Sequence, residues 1–183
     1  YEPAIQRGID ELKKDIDNIT NNPKPATFEN TIVALERSGK LLNRVSGAFF
    51  NVLSANANDE MMEISQRVSP SLTESSNYIY LNEKLFNRVK AVYDQRASLN
   101  LNTEDAKLLE ETFRSFQEKG ANLNSADKEK YKELTKELSL LTLQFDQNSL
   151  KDQNRFEMLL TDQKEVAGLP ESALDAAKFA AKE

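Results

Sequence analysis

Neither cysteine nor histidine occurs anywhere in the 183 residues. Without cysteine the chain has no disulfide framework and no thiolate metal site. Without histidine it lacks the imidazole base that Ser-His-Asp and Cys-His nucleophile systems require. The two-histidine helical zinc motif and the Glu-x-x-His ligands of di-iron bundles are excluded for the same reason. The missing cysteine suits a reducing compartment, but a periplasmic chain can also lack it. A soluble protein, cytoplasmic or periplasmic, is the expectation.

Glycine and proline are scarce, at five residues each. No glycine falls between Gly47 and Gly120, or between Gly120 and Gly168. Tight sheet turns generally need glycine, so these stretches favour helices. No apolar run approaches the ~18 residues of a membrane span, and no signal peptide is visible. Clustered positive charge of one sign is also missing, and the formal net charge is -6. The densest basic segment, Lys128, Lys130, Lys132 and Lys136, is matched by Asp127, Glu129, Glu133 and Glu137. Such alternation reads as a solvated helix face with ion-pair rungs. Neither nucleic acid nor a membrane is an expected partner.

What is present is helical periodicity. Ile5, Ile9, Leu12, Ile16 and Ile19 recur at spacings of three and four, which makes one apolar stripe. Asn21 to Pro25, with two prolines, stops that helix. Thr27 is the expected N-cap of a second helix, with Phe28, Ile32 and Leu35 as its stripe. Ser38-Gly39 marks a bend. A third helix from about Lys40 carries Leu42, Val45, Phe49 and Val52 on one face and Leu41, Ala48, Phe50 and Leu53 on another. A helix apolar on two faces is buried between layers or awaits a partner.

Asn58 or Asp59 caps a helix bearing Met61, Ile64, Val68, Leu72 and Ile79, with a kink predicted at Pro70. Asn82 caps the next, with Leu85, Val89, Val92 and Arg96 inward. Thr103 is the predicted cap of another, with Leu109, Phe113 and Phe116 as its stripe, closed by Gly120. The longest helix runs from Ser125 to about Asn154. Its stripe of Tyr131, Leu134, Leu138, Leu141 and Phe145 predicts packing in an antiparallel helix pair. The pattern fades too early for a dimeric coiled coil. A short strand is possible near 156–161, a helical turn over 161–165, and a terminal helix over 173–181.

The expectation is therefore an all-α fold, a multi-helix antiparallel bundle of about seven to nine helices. Residues 1–183 read as a single helical domain. The chain opens on Tyr1 and ends on helix-forming Ala180 to Glu183, so it is expected to be a piece of a longer one. No residue is singled out as catalytic, cofactor-binding or metal-ligating. Glu110 and Glu111 are adjacent and point to different faces, and lysines flank Glu129, Glu133 and Glu137. Phe49-Phe50, Tyr78 and Tyr80 read as packing rather than as a ligand-stacking surface.

Ordered strings go further than periodicity. They are Tyr1-Glu2-Pro3-Ala4 with Gly8, Pro25-Ala26-Thr27-Phe28-Glu29-Asn30-Thr31, and Ala34-Leu35-Glu36-Arg37-Ser38-Gly39. Leu81-Asn82, Leu85-Phe86, Arg88-Val89 and Tyr93-Asp94-Gln95-Arg96 follow. Phe116, Gly120-Ala121, Leu123 and Ala167-Gly168-Leu169-Pro170 complete the series. In this order they resemble the N-terminal region of the oligopeptidase A and thimet oligopeptidase family of zinc metallopeptidases, and most of all its bacterial peptidyl-dipeptidase branch. The resemblance implies a parent enzyme that releases C-terminal dipeptides from oligopeptides. It implies zinc held by a His-Glu-x-x-His helix and a further glutamate, all beyond Glu183. It also implies that these helices wall a deep channel. The expected partners are the remaining catalytic domain of the same polypeptide and oligopeptide substrates, with no cofactor in this chain. The alternative is a free-standing helical interaction or dimerisation module without enzymatic activity, to which the doubly apolar helix from Leu41 to Leu53 points.

Overall fold

A computed structural model describes residues 1–162 and 164–181, apart from the side chain of Asn154. All its regular structure is helical. Seven α-helices have ten residues or more: α1 (Glu2–Thr20), α3 (Lys40–Ala55), α4 (Asp59–Tyr80), α5 (Glu83–Asp94), α6 (Thr103–Glu118), α7 (Ser125–Arg155) and α8 (Glu171–Ala180). A π-helical turn over Phe28–Val33 runs into the short α2 (Ala34–Glu36). The chain divides into two compact units, Tyr1–Gln147 and Asn148–Glu183.

The first unit is built around α1. All five residues of its stripe, Ile5, Ile9, Leu12, Ile16 and Ile19, are buried. Helices α3, α4 and α5 pack against it. The core continues through Phe28, Ile32, Leu42, Phe49, Val68, Leu85, Val89, Val92, Leu109 and Phe116.

Gly8 sets how closely α1 and α3 approach. A Cβ at that position would lie 2.8 Å from the Leu42 Cα and 2.9 Å from its nitrogen. Backbone cannot give way as a flexible side chain can. Gly8→Ala is therefore expected to cost about 1–2 kcal/mol, because overpacking outweighs the gain in helix propensity. A urea midpoint unchanged or raised relative to wild type contradicts this.

Local chemistry fixes the helix ends. The Thr27 hydroxyl accepts from the Asn30 N–H at 3.2 Å and the Asn30 Oδ1 accepts from the Thr27 N–H at 2.9 Å, which satisfies two otherwise orphaned donors. Asn58 and Asn82 cap α4 and α5 by accepting from Met61 and Leu85. Gly39 and Gly120 have positive φ of 64° and 89°, which L side chains rarely adopt.

Some local expectations change. The α6 cap is Asn102 rather than Thr103: its side chain accepts from the Asp105 N–H and donates to the Asp105 carboxylate, each at 2.9 Å. Arg96 does not face inward, because α5 ends at Asp94 and the guanidinium lies 4.2 Å from the Tyr93 ring centroid. On the face that holds the buried Leu42 and Phe49, Val52 is exposed. The kink predicted at Pro70 falls inside α4, which runs unbroken from Asp59 to Tyr80, and there the proline removes one N–H donor.

The second unit holds the end of α7, the segment that follows it, and α8. Residues 156–161 form no strand. Phe156, Met158 and Leu159 there are exposed. A strand needs a neighbour for its backbone groups, and no strand exists among the described residues to supply one. The turn expected over 161–165 includes Gln163, which lies outside the described residues. The Glu165 carboxylate accepts from the N–H groups of Thr161 and Asp162, at 3.3 and 3.1 Å. The terminal helix starts at Glu171 and ends at Ala180.

Candidate functional site

Among the described residues, no group of three or more His, Cys, Asp or Glu side chains is placed to hold a metal ion. The carboxylates weighed from the sequence are helix-surface groups. Glu111 lies 2.6 Å from Lys107 and pairs with Arg114. The Lys107 hydrogen bond holds the Glu111 carboxyl below its ordinary range and raises the Lys107 ammonium. A carboxylate kept ionised in this way is poorly suited to donate a proton. Glu129 pairs with Lys132 at 2.7 Å, while Glu110, Glu133 and Glu137 are exposed.

Grooves open on the first unit, and two of them are wide. One, of about 730 Å³, lies between α4 and α7 and is lined by Pro70, Glu74, Asn77, Tyr78, Lys132 and Lys136 among others. The other, of about 520 Å³, is lined by residues that include Leu12, Gly39, Ser75, Tyr80, Phe116 and Lys119. In the second groove, Ser75 donates to the Leu72 carbonyl and Ser38 to the Leu35 carbonyl.

Phe49 and Tyr80 pack against neighbouring rings. Phe49 is fully buried between the rings of Tyr1 and Phe50. Tyr80 meets Phe116 edge-on at 5.1 Å, and the Lys119 ammonium sits 3.8 Å from the Tyr80 centroid.

Tyr78 donates from its hydroxyl to Asp17, and that bond, with lesser help from burial and the charge of Asp17, raises the tyrosine above its ordinary value. A group bound more tightly to its proton in the folded state stabilises below the ordinary tyrosine value of about 10. The contribution is lost as pH rises through the raised value. Tyr78→Phe is expected to cost about 0.5 kcal/mol at neutral pH, since the pair is largely in solvent. The wild-type advantage in denaturant midpoint should shrink on alkaline titration. A difference that does not change with pH contradicts the assignment.

Helix α7 departs most from the sequence reading. The face it turns toward α4 is largely polar: Thr135 accepts from the Asn77 amide at 3.1 Å and Gln147 from the Gln66 amide at 2.8 Å. The apolar stripe points away from that contact. Leu134, Leu138, Leu141 and Phe145 are 54%, 63%, 53% and 72% exposed. The predicted helix-pair packing of this stripe is therefore not made within Tyr1–Gln147. The periodicity is real, but α4 claims the hydrogen-bonding face instead.

Two of the ordered strings meet at one polar node. Arg88, on α5, donates through Nη1 to the carbonyls of Asn22 and Lys24, at 3.1 and 3.2 Å, and through Nη2 to the Asn30 Oδ1 at 3.0 Å. The same oxygen accepts from the Thr31 hydroxyl at 2.8 Å, and the Asn30 amide donates to the Pro25 carbonyl at 2.9 Å. Asn30 is a member of one string, but nothing in its spacing shows it to be the hub of a network that reaches a helix 58 residues further along.

No protein-family model matches the chain. It is 40% identical over all 183 residues to the dipeptidyl carboxypeptidase of Escherichia coli K12, covering 27% of that protein. The corresponding protein of Salmonella typhimurium is 38% identical over the same length. Oligopeptidase A of E. coli K12 is 28% identical over 176 residues, 96% of this chain and 26% of that protein. The chain thus spans about a quarter of the length of the curated relatives it matches. Over its full length it is similar to an N-terminal region of the dipeptidyl carboxypeptidases and, at lower identity over 96% of its length, to one of the oligopeptidases A.

Proposed function

We propose that the chain is the non-catalytic N-terminal helical part of a zinc peptidyl-dipeptidase, an enzyme that releases dipeptides from the C-terminus of oligopeptides. In this reading its helices wall the channel that admits peptides and excludes folded proteins. The observation that carries the proposal is full-length 40% identity to a dipeptidyl carboxypeptidase of which the chain covers only 27%. The absence of His and Cys agrees with it. With no His or Cys in the sequence and no carboxylate cluster among the described residues to hold zinc, the metal and the general base belong, in this reading, to the rest of the polypeptide. This part contributes shape and access, not chemistry.

The gene beyond Glu183 tests the reading. It should encode a His-Glu-x-x-His helix, and a stop codon close to Glu183 rules the proposal out. The purified 183-residue chain should release no dipeptide from a short peptide, with or without added zinc. Zinc-dependent release by the chain alone would show that chemistry resides here.

A second reading, a free-standing interaction module, is favoured by the exposed apolar stripe of α7. A single stoichiometric partner protein recovered with the natural, untruncated gene product, itself no longer than this chain, would support it.

A further inference from the structure

We infer that the stripe of Leu134, Leu138, Leu141 and Phe145 on α7 is the seat of one helix from the remainder of the same polypeptide. The inference rests on the peptidase reading above and adds to it a specific interface.

The four residues follow one another at spacings of four, three and four. On an α-helix they fall within a strip about 60° wide and roughly 17 Å long. A helix that faces a broad core carries an apolar stripe wider than about 100°, whereas a narrow seam of this period matches the ridge of a single opposing helix. All four side chains are more than half exposed, and α7 meets α4 through Thr135 and Gln147 on another face. The seam is therefore additional to the contact that already holds α7.

The length of the relative outside the match points to the occupant. Roughly three quarters of the dipeptidyl carboxypeptidase lies beyond the match. A second copy of this chain fits less well. Two apolar heptads end at the polar Asp127 and Asn148, short of the three or four that a self-standing coiled coil needs. A tethered segment overcomes that shortness, because its effective concentration is far above that of a free copy.

The test compares the 183-residue chain with the complete gene product by hydroxyl-radical footprinting. Leu138 and Phe145 are expected to oxidise at least about five-fold more slowly in the complete product. Equal rates would overturn this inference and leave the peptidase reading intact. A gene that ends near Glu183 would overturn both. In parallel, Leu138→Lys with Leu141→Lys should leave the melting temperature of the isolated chain unchanged and lower that of the complete product. A matching fall in the isolated chain would make the stripe part of its own core and would overturn the inference. Concentration-dependent dimerisation of the isolated chain that the double variant abolishes, with the complete product unaffected, would assign the seam to a second copy instead. If the double variant of the complete product does not accumulate, footprinting of the unmodified proteins still decides.

Discussion

Phe116→Ala should lower the stability of the Tyr1–Gln147 unit by about 3–5 kcal/mol. Phe116 is 0% exposed, with the Tyr80 ring 5.1 Å away on one side and the Phe86 ring at 6.0 Å on another. Its carbonyl also accepts the Ala121 N–H at 2.9 Å as the chain leaves α6. Truncation removes a large apolar side chain and leaves a void that three helices border. The surroundings are poorly placed to collapse into it, because the flanking rings belong to different elements. Denaturant unfolding followed by far-UV circular dichroism measures the effect. A loss below about 1 kcal/mol would mean that the site relaxes freely, contrary to the packing described. Phe145→Ala on α7 is the matched control: its side chain is 72% exposed, so in the isolated chain it should change the midpoint very little.

Arg88→Lys comes next, with an expected cost of about 2–3 kcal/mol despite the retained charge. The guanidinium reaches three acceptors in different directions, two backbone carbonyls and the Asn30 side chain. A lysine ammonium is a single point on a flexible stem and cannot span them. Carbonyls of Asn22 or Lys24 left without a donor would seek water, and Asn30 would lose one of its three donors. The loss should appear as faster amide exchange at Thr27 and Asn30, where the capping box closes. An Arg88→Lys protein with wild-type stability and wild-type exchange at those amides would remove Arg88 from the role assigned to it.

The sequence carried the local half of this structure well. Five residues of one stripe predicted the buried face of α1 exactly as it packs. Thr27 and Asn82 cap the helices they were expected to cap, and of Asn58 and Asp59 it is Asn58 that caps α4, because capping depends on a few neighbouring atoms. Some misreadings are local, and others arose where a residue's role depends on distant chain. Asn102 displaced Thr103 by one position, since its side chain can bond both the backbone and the carboxylate of Asp105. The α7 stripe was read correctly as a stripe, but periodicity says only that an apolar face exists, not which element covers it. Arg88 and Asn30 could be quoted as members of strings, whereas their joint role depends on α5 meeting the loop before Phe28. The strand suggested near 156–161 has the right composition but no pairing edge among the described residues.

The outward-facing leucines of α7 also bear on handling the isolated chain. Four large apolar side chains on one rigid strip give a hydrophobic resin a continuous site to grip, whereas scattered single residues do not. The chain should bind phenyl-substituted matrices more tightly in ammonium sulfate than its acidic composition and mean hydropathy of -0.63 suggest. Its net charge of -6 opposes self-association at low ionic strength. Added salt screens that repulsion and strengthens apolar contact together, so the useful purification window lies at low salt.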